Sequence, residues 1–243
     1  MLFPLPDSSS NSSFISPYFM FMSKIELKFL KKHLYFSLGD HLWLFDTGAP
    51  QSFGEGGKLS ILGKEFPVAS NFMGLDANKV SEHAGVEMQG LLGADIINHF
   101  DYQIDVRNES IEISEDEIEM GEPSLQIKEF MAIPILTAEI GGAEYSMFFD
   151  SGAQYSYFQE DELSSFPSLG KVSDFYPGVG PFETDTFSVP ITIGSVDIST
   201  QCGKLPDLLA MTLSMADTSG IIGNELLIDR VVTYSPKRNL ISL

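Results

Sequence analysis

The chain repeats itself, and this internal duplication restricts its fold more than any other feature of the sequence. Residues 44–49 (LFDTGA) recur as residues 148–153 (FFDSGA), and residues 90–95 (GLLGAD) recur in the same order as residues 220–225 (GIIGNE). Sequence self-similarity of this kind indicates that one structural unit has been copied and that its copies pack against each other. We therefore expect two similar halves related by an approximate twofold axis.

Short strands separated by turn residues are predicted throughout both halves. Three β-hairpins are indicated by apolar segments on either side of the dipeptides Gly39-Asp40, Gly141-Gly142 and Gly194-Ser195. Helical periodicity is scarce, and the better short candidates are residues 161–165 and 207–215. The fold class predicted from this pattern is mostly β.

An acidic run separates the two halves. Seven acidic residues and no Lys or Arg lie between Glu109 and Glu122, and such a run is expected to stay solvated as an exposed linker. The predicted organisation is an N-terminal arm (1–23), a first β lobe (24–113), the acidic linker (114–123) and a second β lobe (124–243).

Charge and composition exclude several classes of function. The chain has 14 Lys and Arg against 34 Asp and Glu, a net charge of −20, which repels nucleic acids and anionic membranes. No apolar run approaches the ~20 residues of a membrane span. The single cysteine, Cys202, excludes an internal disulfide, and the four His are too scattered to predict a metal or cofactor site. Because the N-terminus also lacks a basic signal-peptide region, we expect a cytoplasmic location.

Asp46 and Asp150 are the candidate catalytic residues. Each follows an apolar strand, and a twofold axis between the halves would bring the two carboxyl groups together. Two carboxylates in one site cannot both ionise cheaply, so the pair holds one proton and offers a general base beside a general acid. That combination activates a water molecule toward an amide carbonyl, with no metal and no covalent intermediate. The predicted chemistry is peptide hydrolysis.

The two Asp motifs are similar to the active-site motifs of the pepsin/retropepsin superfamily of aspartic peptidases, and the apolar-apolar-Gly elements resemble its psi-loop. The likeness covers residues 24–243, so the chain resembles a retropepsin-like dimer fused into one polypeptide. This resemblance implies a bilobed acid-protease fold with a central cleft. It also implies that Thr47 and Ser151 form a hydroxyl interlock beneath the dyad and that Gly48 and Gly152 donate backbone N–H groups to the carboxylates. Ala49 and Ala153 match the alanines of retropepsins. The implied psi-loop residues are Leu91, Leu92, Gly93, Ile221, Ile222 and Gly223.

Members of this family cover the substrate with a β-hairpin flap, and only the second half has room for one. The segment between Asp150 and Gly194 is longer than the matching segment between Asp46 and Gly63, and residues 171–189 read as strand, turn and strand. We therefore expect a single flap on the second lobe. Tyr176 and Phe182 flank its tip and either cover substrate or pack within the hairpin. The predicted flap and cleft residues are Tyr176, Pro177, Gly178, Val179, Gly180 and Phe182.

The leading hypothesis is a monomeric aspartic endopeptidase that cleaves extended polypeptides. The alternative is a catalytically inactive protein of the same fold that binds peptides or acts as a scaffold. A third interpretation treats the N-terminal arm as an inhibitory segment of a zymogen.

Overall fold

The computed structural model describes residues 22–176 and 179–243, and the described chain is mostly β. The N-terminal arm predicted from the sequence lies outside these residues, apart from its last two positions. The elements of the first half are β1 (Met22–Leu30), β2 (His33–Leu38), β3 (His41–Phe45), β4 (Phe53–Gly54), β5 (Lys58–Ile61), β6 (Lys64–Pro67), β7 (Asn71–Phe72), β8 (Leu75–Asp76), α1 (Ala77–Ala84), β9 (Gly90–Leu92), α2 (Ala94–Ile97), β10 (Asp101–Asp105) and β11 (Ser110–Ser114).

The second half repeats this succession with longer strands. Its strands and α-helix are β12 (Ser124–Gln126), β13 (Lys128–Phe130), β14 (Ile133–Ile140), β15 (Ala143–Phe149), β16 (Ser156–Phe158), β17 (Ser168–Tyr176), β18 (Gly180–Ile193), β19 (Val196–Gly203), α3 (Asp207–Met215), β20 (Gly220–Ile222), β21 (Val231–Ser235) and β22 (Leu240–Ser242), and its 3₁₀ helices are Asp161–Ser165, Asn224–Leu227 and Pro236–Arg238. The three predicted hairpins are confirmed as β2–β3, β14–β15 and β18–β19.

The duplicated sequence motifs form the same strand arrangement twice. In the first half β3 runs parallel to β9, which also pairs antiparallel with β4. In the second half β15 runs parallel to β20, which also pairs antiparallel with β16. Strands this short and apolar are buried on both faces, as parallel pairing requires. Each Asp motif therefore follows a strand that lies beside an apolar-apolar-Gly strand.

Strands from both halves share one sheet. Its order is β12-β22-β21-β10-β11-β1-β2-β3-β9-β4, so the C-terminal strands of the chain pair with strands of the first half. Tyr102 on β10 lies opposite Tyr234 on β21, and the two buried rings stack with their centroids 6.3 Å apart. The remaining strands of the second half form an eight-stranded sheet. The largest of the three hydrophobic clusters in the described residues contains side chains from both halves.

The acidic side chains of Glu115, Asp116, Glu117, Glu119 and Glu122 are exposed, as the composition predicts, but the backbone of the run is anchored to the rest of the protein. Ile118, within the run, is buried, and its backbone N–H and carbonyl bond Asp101 and Arg238 respectively. Lys237 donates to the carbonyl of Glu115. The cations that hold this segment come from the C-terminal end of the chain, so its local charge pattern does not reveal them.

Two boundaries also move by a few residues. Met22, placed in the arm, belongs to β1 and lies opposite Ser114, which was placed in the linker and ends β11.

The helix α1 was not predicted. It begins after Asp76, whose side chain accepts a hydrogen bond from the Lys79 N–H, and it ends at Gly85, whose φ of 64° is a left-handed cap. No helix in the described part of the chain has the length and apolar character needed to span a membrane.

Arg238 should be essential for stability, because it neutralises the fully buried carboxylate of Asp101 at 2.8 Å. Replacing Arg238 with Gln leaves that charge without its nearest cation, and we expect the free energy of unfolding to fall by about 2 kcal/mol or more. The control is Arg107→Gln, which breaks an exposed pair with Asp229 and should change stability by less than about 0.5 kcal/mol. Urea denaturation measures both, and equal effects would contradict this role of Arg238.

Candidate active site

A reciprocal hydrogen-bond network joins the two Asp motifs. The backbone N–H of Thr47 donates to the Ser151 hydroxyl at 3.0 Å, and the N–H of Ser151 donates to the Thr47 hydroxyl at 2.9 Å. Each hydroxyl then donates across the interface, Thr47 to the carbonyl of Phe149 and Ser151 to that of Phe45, both at 2.8 Å. Both side chains are buried, so every one of these bonds is shielded from water. The network fixes one motif against the other.

This network brings the carboxyl groups of Asp46 and Asp150 to the same cavity, where each lies against the glycine of the opposite motif. Oδ1 of Asp46 accepts from the N–H groups of Gly48 at 2.9 Å and Ala49 at 3.0 Å. In the second motif, Oδ1 of Asp150 accepts from Gly152 at 2.9 Å and Ala153 at 3.2 Å. The carboxyl groups are therefore oriented by backbone donors in the same way on both sides.

Glycine is required at the third position of each motif. A Cβ on Gly48 would overlap the carboxyl group of Asp150, and a Cβ on Gly152 would overlap that of Asp46. Each glycine thus lets its backbone approach the carboxyl of the opposite motif.

The surroundings favour a protonated carboxyl in this pair. Loss of hydration on burial is the main cause that raises the pKa of both Asp46 and Asp150. The charge of Asp150 raises the pKa of Asp46 further, whereas the backbone N–H donors of Gly48 and Ala49 lower it in part. Because the two groups interact directly, they titrate as a pair, and one proton is retained between them to higher pH than in an isolated carboxyl.

The apolar-apolar-Gly elements support the dyad from below. The N–H of Asp46 donates to the carbonyl of Leu92 at 3.0 Å, and the N–H of Asp150 donates to that of Ile222 at 2.9 Å. Leu91 and Ile221, one position earlier, line the cavity beside the carboxyl groups. Gly93 and Gly223 follow these strands, and a side chain at either would overlap backbone of the neighbouring Asp-motif loop.

Two further pairs of residues support the loops at Gly93 and Gly223 through hydrogen bonds, and neither pair was predicted from the sequence as part of the site. Ser52 donates to Asp95 at 2.6 Å and accepts from the Gly93 N–H at 2.8 Å. In the second half Ser156 donates to Glu225 at 3.1 Å and accepts from the Gly223 N–H at 3.1 Å. Ser52 and Ser156 have the same spacing as the two Asp residues, so the repeat alignment contained the signal.

The carboxyl groups open into a cavity of about 260 Å³. Asp46 and Asp150 keep part of their surface accessible from it. Its lining includes the last four residues of β17 and one face of α1. The lining residues are His33, Leu44, Asp46, Leu75, Val80, His83, Ala84, Leu91, Asp150, Gly152, Ala153, Gln154, Tyr157, Ser173, Asp174, Phe175, Tyr176 and Ile221.

The β17–β18 hairpin is the segment predicted as a flap, and Tyr176 at the end of β17 lines the cavity. Burial together with the charges of Asp150 and Asp46 raises the pKa of the Tyr176 hydroxyl, which stays protonated. Phe182 lies opposite Asp174 and packs on the ring of Tyr157, so it belongs to the packing of the hairpin and does not line the cavity. Val179 and Gly180 also lie outside the lining, and Pro177 and Gly178 lie outside the described residues.

The first half contributes α1 to the cavity lining, a helix that was not among the elements predicted to cover the site. The ring of His83 on α1 stacks on Phe175 of β17 with centroids 3.5 Å apart and planes 17° apart. This contact joins the two halves on the side of the cavity formed by β17. The sequence carries signals for α1, since Ala77, Val80 and Ala84 have helical spacing and Asp76 and Gly85 mark its ends, but the helix is only eight residues long and was not predicted.

The site contains no arrangement typical of a metal centre. Within residues 22–176 and 179–243, no group of three or more His, Cys, Asp or Glu side chains is placed to hold an ion. The groups available in the cavity are the carboxyls of Asp46, Asp150 and Asp174, together with the hydroxyl, amide and imidazole groups around them.

Comparison with known proteins adds little to this geometry. The chain matches no protein family and no curated protein by sequence. Among solved structures it is similar to the solution structure of a simian foamy virus (mac) protease, with 17% identity and a TM-score of 0.27, over 37% of this chain and 86% of that one. A likeness this weak carries no argument, and the interpretation of the site rests on its own geometry.

The raised pKa of Asp150 predicts a pH-dependent gain in stability when its charge is removed. The folded protein holds this proton to higher pH than the unfolded chain, so the favourable contribution is complete below about pH 4 and is lost as pH rises through the folded pKa. Asp150→Asn should therefore raise the free energy of unfolding at pH 7 by about 1 kcal/mol and have little effect at pH 3.

Urea denaturation at both pH values measures this difference. Asp185→Asn, on the exposed part of β18, removes the same formal charge outside the cavity and should change stability by less than about 0.5 kcal/mol at either pH. An Asp150→Asn protein that is no more stable than wild type at pH 7 would contradict the raised pKa.

Proposed function

We propose that this protein is an aspartic endopeptidase that hydrolyses peptide bonds in extended polypeptides. The observation that carries the proposal is the pairing of Asp46 with Asp150 at the floor of one cavity, each oriented by the same set of backbone donors. Neither carboxyl has a Lys or Arg partner among the described ion pairs, and burial raises the pKa of both. A pair in that state holds one proton.

A carboxyl pair with one proton provides both catalysts for attack by water on an amide. The ionised carboxyl accepts a proton from a water molecule as its oxygen bonds to the peptide carbonyl carbon, and the protonated carboxyl donates to the carbonyl oxygen. The tetrahedral intermediate then collapses: the carboxyl that took the water proton donates it to the amide nitrogen, the C–N bond breaks to release an amine, and the other carboxylate accepts a hydroxyl proton as the new carboxylic acid forms. The reaction consumes one water and returns the pair to its single-proton state.

The protein around the dyad fits this role as two lobes facing a cleft. We propose a first lobe of residues 24–113 and a second of residues 124–243, joined by the anchored segment 114–123. The β17–β18 hairpin acts as a single flap, with Tyr176 above the carboxyl groups, and α1 takes the place of a flap on the first lobe. Closure from both sides excludes water and fixes the peptide against the dyad.

Both catalytic residues belong to one chain, so a monomer contains a complete site. The reciprocal bonds between Thr47 and Ser151 join the two Asp motifs within one chain. A second copy is therefore not needed for activity, and we expect the protein to act as a monomer.

The test is digestion of a peptide library by wild type, Asp46→Asn and Asp150→Asn side by side. Because the shared proton needs both carboxyls, each variant should retain less than about 1% of the wild-type kcat/KM. A hydroxyl-containing inhibitor of the statine type should bind wild type far more tightly than either variant, since its hydroxyl takes the place of the attacking water. Circular dichroism and thermal unfolding confirm that the variants are folded.

Asp185→Asn is the matched control and should cleave like wild type. Residual cleavage above about a tenth of wild type in either dyad variant would contradict a mechanism that needs both carboxyls. Peptide binding by wild type without any cleavage would instead support the alternative function, a peptide-binding protein that has lost turnover.

A further inference from the structure

The walls of the cavity differ in chemistry although the dyad at its floor is symmetric. One wall is mostly aliphatic and comes from β3, β8, α1 and β9 of the first half; its residues are Leu44, Leu75, Val80, Ala84 and Leu91, with His83 of α1 stacked on Phe175 beside them. The other wall is polar and lies beside Asp150; its residues are His33, Gln154, Tyr157, Ser173 and Asp174. The difference arises because only the second half carries the β17–β18 hairpin, which supplies Ser173 and Asp174.

Asp174 is a carboxylate without a cationic partner. Its Oδ1 accepts from the Phe175 N–H at 2.7 Å, and its Oδ2 accepts from the Tyr157 hydroxyl. These donors fix the orientation of the carboxyl group, Asp174 lines the cavity, and among the described ion pairs none includes it. The lining residues contain no Lys or Arg either. A half-buried carboxylate in this position is ready to pair with a cation that enters from outside.

The neighbouring residues add polar atoms and no positive charge. His33 is only 8% exposed, and burial lowers its pKa, so its ring is neutral near pH 7. One ring nitrogen contacts the Gln154 side chain at 2.7 Å, while Nδ1 has no hydrogen-bond partner within the described chain. His33, Asp150 and Asp174 all line the cavity, and the charge of Asp174 acts to raise the pKa of both His33 and Asp150.

We propose that Asp174, with His33 and Gln154, forms a subsite beside Asp150 that binds a basic side chain of the substrate. The aliphatic wall binds an apolar side chain on the other side of the scissile bond. The preferred substrate is then a peptide with an aliphatic residue and a Lys or Arg flanking the cleaved bond. This inference rests on the proposed peptidase function and deepens it by naming the substrate class.

Steering by the whole protein acts in the same direction. The chain carries a net charge of −20, and the cavity contains the carboxyl groups of Asp46, Asp150 and Asp174. A cleft lined by one sign of charge raises the local concentration of oppositely charged ligands. Basic peptides are therefore favoured during encounter as well as in the bound state.

The test uses peptides with identical flanks and a central pair of Leu and a variable residue, in both orders. The variable residue is Lys, its uncharged analogue norleucine, or Glu. For wild type, in one of the two orders, kcat/KM with Lys should exceed that with norleucine about tenfold, and Glu should be the poorest. Asp174→Asn should reduce the advantage of Lys over norleucine to less than about twofold, while Asp185→Asn keeps it.

Two measurements on wild type do not depend on how well Asp174→Asn folds: the preference for Lys over norleucine, and the dependence of that preference on salt. In wild type, the advantage of Lys should shrink as salt rises from about 0.05 to 0.5 M, because the pair is ionic. Equal cleavage of Lys and norleucine peptides by wild type in both orders, or an advantage that salt or Asp174→Asn leaves unchanged, would overturn the subsite.

Failure of the proposed function gives a different result. If wild type cleaves none of the peptides, the binding of statine-type inhibitors with the same variable residues is measured by calorimetry. Tighter binding of the Lys inhibitor than the norleucine inhibitor supports the subsite without turnover, and equal binding overturns it.

Discussion

The mutual hydrogen bonding of Thr47 and Ser151 is the interaction on which the site depends. Two buried hydroxyls and two backbone N–H groups satisfy one another across the boundary between the halves, so neither motif can shift without leaving buried polar groups unpaired. The bonds place Asp46 and Asp150 together, and Gly48 and Gly152 leave the space that this approach requires. The shared sheet, in which Tyr102 lies opposite Tyr234, holds the same two halves together at a second place.

Symmetry and its absence serve different parts of the proposed activity. The dyad and its backbone donors are nearly identical on both sides, which suits a pair that shares one proton. A peptide, however, has a direction, and the cavity walls that would contact it are unequal. The β17–β18 hairpin supplies Asp174 and Tyr176 on one side, whereas α1 supplies Val80 and His83 on the other. The stacking of His83 on Phe175 joins α1 to the β17–β18 hairpin.

The sequence predicted the elements that the duplication repeats, because each copy provided a check on the other. This holds for the Asp motifs, the strands ending at Leu92 and Ile222, and the three hairpins. It did not predict features that depend on distant residues, such as the anchoring of Ile118 by Arg238 or the packing of His33 against Gln154. The helix α1 was missed for a local reason, since it has only eight residues, although its caps and the helical spacing of Ala77, Val80 and Ala84 were readable in the sequence.

The central claim, that the two carboxyls share one proton, is tested most directly by titrating the carboxyl carbons of Asp46 and Asp150 by NMR. Samples labelled with ¹³C at Asp are compared as wild type, Asp46→Asn and Asp150→Asn, which assigns the two signals. If the two carboxyls share one proton, both signals in wild type respond to two coupled steps, one of them well above the ordinary Asp pKa of about 4. Two independent titrations near that value would contradict it.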